Sequence, residues 1–230
     1  MKESNAIGGD YTINFAIPTS DPGYDSGTGR HTINLTGALP DITQSNLTIN
    51  GPGKDKLTVR RNTGGFYRIF TFGNVVETAT IAGMTVSNGF NSVNDGGAVS
   101  FTGKTLTING CVFSNNIASG SGGALYVFAK LNVTNSVFND NFSSAPMGGW
   151  SGGGAILVRG ALNVSNSTFS NNVANSLGGG INADTSGPNG GDSTITNSQF
   201  TSNSGDAGGG VAVGTQVGVS PNAMPVAVSL

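Results

Sequence analysis

One passage is written four times in this chain and constrains everything else: LTINGCVFSNN (Leu106 to Asn116), LNVTNSVFNDN (Leu131 to Asn141), LNVSNSTFSNN (Leu162 to Asn172) and STITNSQFTSN (Ser193 to Asn203). Aligned on Phe113, Phe138, Phe169 and Phe200, the copies lie 25, 31 and 31 residues apart. A second phrase recurs between them, as GGAV ending at Val99, GGAL at Leu125, GGAI at Ile156, GGGI at Ile181 and GGGV at Val211. A period of this length means a stack of like structural units rather than a globule with one closed core.

Within each unit apolar and small polar residues alternate, as at Leu131 and Val133, Leu125 and Val127, or Ile156 and Val158. Alternation with a period of two in short runs predicts strands with one buried face, and no window carries the helical period. A unit of short strands and turns that repeats by stacking is a parallel β-helix. The predicted fold is therefore all-β, a right-handed single-stranded parallel β-helix of about six to seven coils. Residues 1–32 read as an irregular N-terminal cap, 33–220 as the β-helix and 221–230 as a C-terminal tail or cap. A single unit cannot bury enough apolar surface to offset the entropy of ordering its backbone, so each needs its neighbours.

Stacking turns sequence columns into physical ladders about 4.8 Å per step. The four phenylalanines should stack inside the tube, beside Leu106, Leu131 and Leu162. Asn116, Asn141, Asn172 and Asn203 form a third column, and Asn135, Asn166 and Asn197 a fourth. Stacked asparagines bond along the axis and tolerate left-handed backbone at bends, and paired glycines suit corners where a Cβ would clash. Upstream, Phe70 and Phe72 fall in the column of Val99 and Phe101, and Met84 and Val86 are expected in that of Leu106 and Ile108.

Only 10% of the 230 residues are charged and the net charge is −2. Such a neutral polar coat argues against nucleic acid as a partner. No apolar run reaches the roughly 18 to 20 residues of a membrane span. Met1 to Gly9 lacks the apolar core of a signal peptide, so any leader is expected to lie outside this chain, and an extracellular or cell-surface location is an expectation from the resemblance given below. The single cysteine, Cys111, precludes an internal disulfide and shares a column with Ser136, Ser167 and Ser198, which predicts a small packed residue. End-to-end or lateral self-association is open to any solenoid with exposed ends.

Two insertions interrupt the period: Phe142 to Gly152, with Met147 and Trp150, and Asp184 to Asp192. Insertions in a solenoid map to loops on one face, often the binding face, and Trp150 offers a surface on which a sugar or a partner stacks. The densest basic group is Lys54, Lys56, Arg60, Arg61 and Arg68, which reads either as a surface for an anionic polymer or as a solvated edge. The lone histidine, His31, lies in the irregular N-terminal part, and nucleophilic catalysis would need a serine brought beside it. Asp184 and Asp192 bracket a glycine-rich loop, while Asp95 and Asp206 precede glycine corners. These four are the candidate calcium ligands, although their spacing matches no defined loop.

The alternation of GGA[I/L/V] with FxxN resembles the repeats of chlamydial polymorphic outer-membrane proteins and the wider group of right-handed, pectate-lyase-like β-helix proteins. The stretch INLTGALPDITQSNLTINGPGKDKLTV is similar to the entry coils of bacterial secreted proteins that carry a CSLREA-type motif. Together the resemblances cover Tyr11 to Val213. They imply the fold, and a group that contains adhesins, surface repeats and polysaccharide-active enzymes alike. The enzymes of that group use aspartates, calcium and a lysine or arginine on a lateral groove. The analogous positions here are Lys104, Lys130 and Arg159 at the corner after the GGA[V/L/I] strand, with Asp140 at the FxxN corner on a different edge.

The functional expectation is an exported or cell-surface β-helix module with a structural, adhesive or glycan-binding role. The alternative is a carbohydrate-active lyase or hydrolase, with calcium as its candidate cofactor, and a third reading is a hydrolase of small esters or lactones.

Overall fold

The computed structural model describes residues 9–62, 64–146, 151–185, 189–214 and 227–228, and no helix occurs among them. Short strands wind into a parallel β-helix whose sides are three long sheets and one short one. The leucine sheet runs through Asp10–Asn14, Asn46–Asn50, Thr78–Ala82, Thr105–Asn109, Lys130–Thr134, Leu162–Ser165, Thr194–Thr196 and Ala227–Val228. The phenylalanine sheet contains Arg30–Leu35, Leu57–Arg61, Thr85–Ser87, Val112–Ser114, Val137–Asn139, Thr168–Ser170 and Gln199–Thr201, with Tyr24–Asp25 at its edge. The glycine phrases form the third sheet, from Phe70–Thr71 through Val99–Phe101, Leu125–Val127, Ile156–Val158 and Ile181–Asp184 to Val211–Gly214. Its six strands count six turns. Pairing is parallel throughout except between Tyr24–Asp25 and Arg30–Leu35, which form an antiparallel hairpin.

The repeat columns become rungs in the register that the alternation predicts. Leu106 opposes Leu131, which opposes Leu162, and Phe113, Phe138, Phe169 and Phe200 follow one another. The four rings stack nearly parallel, with centroids 5.1, 4.9 and 4.7 Å apart. This offsets nothing polar and fills the tube with apolar contact. The core is continuous from Ile42 to Ile195. At the N-terminal end Ile13, Ile17, Ile33 and Leu35 are only partly covered, as expected where stacking stops.

Upstream of the strict repeat the register differs from expectation. Met84 and Val86 lie on the phenylalanine sheet, Val86 opposite Phe113, and Ala79 and Ile81 oppose Leu106 and Ile108 instead. Phe70 does oppose Val99, and Phe72 meets Phe101 edge-on at 5.6 Å.

The bends are made by left-handed residues in three columns, one of them the glycines Gly96, Gly122, Gly153, Gly178 and Gly208 ahead of the third sheet; the other two are mostly asparagine. One is Gly83, Gly110, Asn135, Asn166 and Asn197, and the other is Asn88, Asn115, Asp140, Asn171 and Ser202. Asparagine and aspartate tolerate this region because their short polar side chains bond locally. The neighbouring Asn116, Asn141 and Asn172 have ordinary backbone and at most 1% exposure. Each Nδ2 donates to the next asparagine Oδ1 and to a core carbonyl, as Asn141 does to Asn172 at 2.8 Å and to Phe113 at 3.0 Å.

Candidate functional site on the outer face of the third sheet

Strand alternation in the third sheet sends Leu125, Val127, Ile156, Val158, Ile181 and Ala183 into the core. Tyr126, Leu157 and Asn182 share one register column and point outward. The next outward positions are Phe128, Arg159 and Asp184. Because Val158 opposes Ala183, Arg159 stands one rung from Asp184, and it is diagonal to Tyr126. Leu157 and Asn182 are nonetheless almost fully buried, at 1% and 0% exposure, so this outer face is covered.

The cover comes from both insertions. At the end of the first, the Ser151 carbonyl accepts from Asn182 Nδ2 at 3.0 Å and from Ser176 Oγ at 2.6 Å. In the second, Asn189 Nδ2 donates to the Phe128 carbonyl at 3.1 Å, and the Ala161 amide donates to the Asn189 carbonyl at 3.1 Å. The described ends of the two insertions therefore touch the third sheet at different places, Ser151 at Asn182 and Asn189 at Phe128 and Ala161. Arg159 is half-buried and its Nε is enclosed without a hydrogen-bond partner. Burial pushes the Tyr126 hydroxyl above its ordinary pKa, and the charge of Arg159 opposes that shift. A guanidinium with an unsatisfied donor beside a planar phenol suits a ligand that brings an acceptor oxygen and a flat apolar surface.

The other sequence candidates are spread over the molecule. Lys104 is exposed and paired with Glu77 at 2.8 Å. Lys130 is exposed on the next rung, opposite Thr105. Asp140 sits in the left-handed column at the end of the phenylalanine sheet and accepts from Asn139 Nδ2 at 2.7 Å. The structure places Lys104 and Lys130 at one corner, and Arg159 and Asp184 together, but keeps Asp140 on another edge. Trp150 and Met147 lie outside the described residues.

The basic group is dispersed along one interior strand and two corners. Lys54 reaches along the corner to the Asn135 carbonyl at 3.4 Å, and Lys56 is exposed. Arg60 donates to Asn34 Oδ1 at 2.7 Å, while Arg61 donates to the Asn88 carbonyl at 2.7 Å and lies over the Phe90 ring. Arg68 is clamped on the Gly96 carbonyl at 2.7 Å, and burial lowers its pKa.

Asp95 accepts from the Ser121 amide and stands four rungs from the Asp206 corner, since the stack runs through Ser121, Gly152, Leu177 and Ala207. Asp192 is exposed and Asp184 is buried. Among the described residues no group of three or more His, Cys, Asp or Glu side chains is placed to hold a metal ion. His31 stacks on Tyr24 at 4.8 Å, next to a recess of about 260 Å³ lined by Phe15, Ile17, Pro52, Lys56 and Leu57, without a serine or cysteine. Sequence reasoning named Arg159 and Asp184 but missed Tyr126 and Asn182. The signal available for these two was only their outward place in the alternation.

A family model described as the Chlamydia polymorphic membrane protein (Chlamydia_PMP) repeat matches residues 110–127 and 166–184. Both stretches begin at a left-handed corner, Gly110 or Asn166, and end at the third-sheet strand. No curated protein and no solved structure matches the chain. Among the described residues no helix is long and apolar enough to cross a membrane. The chain is a β-helix repeat protein, and two of its turns are similar to the repeat of a surface and outer-membrane type of protein.

Proposed function

We propose that this is a surface-displayed β-helix module of adhesive type, which binds glycan at the accessible parts of Tyr126 and Arg159 on the edge of the covered third-sheet face. The observation that carries the reading is that the half-buried Tyr126 and Arg159 lie on the outer side of the third sheet, where the described end of one insertion meets Asn182 and that of the other meets Phe128 and Ala161. A solenoid keeps its sides uniform, and loops added to one face are where binding evolves. The half-buried Arg159 guanidinium supports a ligand with carboxylate or hydroxyl oxygens, and the flat phenol of Tyr126 supports a sugar ring. The similarity to an outer-membrane repeat supports display at a surface.

The test is a glycan array with the full chain, Arg159→Ala and Tyr126→Ala, each checked for an unchanged far-UV spectrum. The expected result is a defined set of bound glycans whose affinity drops at least tenfold in both variants. Equal binding by Arg159→Ala, or no bound glycan at all, overturns the reading. The lyase or hydrolase alternative is run on the same samples, with calcium and with EDTA because Asp184 shares the face. Release of unsaturated or reducing ends that disappears in Arg159→Ala would replace the adhesive reading with the enzymatic one.

A further inference from the structure

We propose that the outer face of the leucine sheet is a second binding surface, for a neutral polysaccharide chain lying along the tube axis. The proposal rests on the reading of this protein as a glycan binder, and differs from it in face, residues and ligand charge. On this sheet Leu47, Ile49, Leu106 and Ile108 point into the core, so the residues between them point outward. Thr12, Thr48, Thr80 and Thr107 fall in one register column across four consecutive rungs. Their hydroxyls are therefore repeated about every 4.8 Å along the axis.

The flanking side chains are already engaged with one another. Thr78 Oγ1 donates to Asn46 Oδ1 at 2.7 Å, Asn46 Nδ2 donates to Asp10 Oδ1 at 2.6 Å, and on the other side Asn50 Nδ2 donates to Asn14 Oδ1 at 3.1 Å. The hydroxyls of Thr12, Thr48, Thr80 and Thr107 have no side-chain hydrogen bond among the described residues. A row of solvent-accessible hydroxyls without side-chain partners thus runs between two rows whose side chains bond one another. Over its first three rungs lies a shallow recess of about 360 Å³, walled by Asp10, Thr12, Asn46, Thr48, Thr78 and Thr80 and floored by Tyr11 and Leu47.

The chemistry selects the occupant. Asp10 is the single charge in the lining of the recess, and its one ring, Tyr11, packs against the core, so neither a cluster of charges nor an outward ring is there to hold a ligand. Each threonine hydroxyl both donates and accepts, as a sugar hydroxyl does, and its methyl group packs on the C–H faces of a pyranose. The rung repeat is close to the length of one pyranose unit in an extended β-linked chain. A neutral, hydroxylated, axially repeating polymer is complementary to this surface in both charge and period, and a polyanion is not.

The experiment is affinity electrophoresis of the full chain through gels containing hydroxyethyl cellulose or polygalacturonate. The variants are the Thr48→Val/Thr80→Val double substitution, which removes two hydroxyls at constant shape with a good strand former, and Thr48→Tyr, which fills the recess. Thr168→Val, on the outer face of the phenylalanine sheet, is the control. The expected result is retardation of the wild type by hydroxyethyl cellulose, an at least tenfold weaker affinity in both recess variants, and no change in Thr168→Val. Retardation by hydroxyethyl cellulose that persists in both recess variants overturns the proposal. Retardation by polygalacturonate alone overturns it while leaving the third-sheet reading intact, and retardation by neither polymer, with an empty glycan array, overturns both.

Discussion

Cys111 illustrates how a rung position dictates residue chemistry. In its column the hydroxyls of Ser136, Ser167 and Ser198 accept the amide of the preceding rung, from Cys111, Ser136 and Ser167, at 3.1, 3.1 and 3.2 Å. The Cys111 thiol occupies the same buried slot with only long contacts to the Ile81 and Asn109 carbonyls, both 3.4 Å. Burial pushes its pKa from 9.0 up to about 11. A folded pKa above the unfolded one means that the native state holds its proton longer. The stability this confers is complete below about pH 9 and is lost as pH rises through about 11, a change on the order of 3 kcal/mol. Urea midpoints of the wild type should fall between pH 8.5 and about 11, and those of Cys111→Ser should fall less, by what Tyr126 and the other alkaline groups contribute. Parallel decline of both proteins would exclude the thiol as the source.

At the scale of the element, the asparagine ladder ties the turns together by bonds that run along the axis. Asn141 Oδ1 accepts from both the amide and the Nδ2 of Asn116, each at 3.0 Å, and Asn141 Nδ2 donates to Asn172 and to the Phe113 carbonyl. Asn141→Ala removes both roles and leaves the Asn116 amide and one of the two Nδ2 N–H groups without an acceptor, the other still bonding the Val86 carbonyl. The expected cost is about 3 kcal/mol or more, read by urea unfolding. Asn132→Ala, on the outer face, should cost about 1 kcal/mol or less. Comparable costs at the two sites would show that the ladder is not a source of stability. Phe138→Ala, in the middle of the ring stack, should cost about 4 kcal/mol by the same measurement. Both columns were visible in the aligned repeats, because side chains repeated at one place in every copy must stack. The assignment of left-handed bends was legible at Asn135, Asn166 and Asn197, but in the other asparagine column the bend falls one residue earlier, at Asn115, Asp140 and Asn171. The difference lies in burial: a backbone corner needs a left-handed residue, and the next position, facing inward, needs an amide that can satisfy carbonyls.

For the whole molecule, stacking predicts a gradient of stability from the ends to the middle. Leu106, Phe113, Leu131 and Phe138 are fully enclosed, whereas Tyr11 and Ile13 at one end and Phe200 and Val211 at the other are only partly covered. Native-state hydrogen exchange should show the slowest amides in strands Thr105–Asn109 and Lys130–Thr134, and faster exchange in Asp10–Asn14 and Gln199–Thr201. Uniform protection along the axis would mean that the turns unfold as one unit.

The sequence by itself determined the all-β solenoid, its period and the residues of its inner ladders, because a two-residue alternation repeated at a fixed interval has one way to bury its apolar face. Where the interval is irregular, that inference loses its ruler. Met84 and Val86 fit the alternation of either neighbouring sheet, and only pairing across rungs put them beside Cys111 and Phe113 rather than Leu106. The candidate site was decided entirely by tertiary structure. Phe142–Gly152 and Asp184–Asp192 are insertions in different parts of the repeat, and that Ser151 contacts Asn182 while Asn189 contacts Phe128 is set by pairing across rungs. The free threonine row is of the same kind: the column is written in the sequence, but which hydroxyls are engaged and which are open is set by contacts between residues about thirty positions apart.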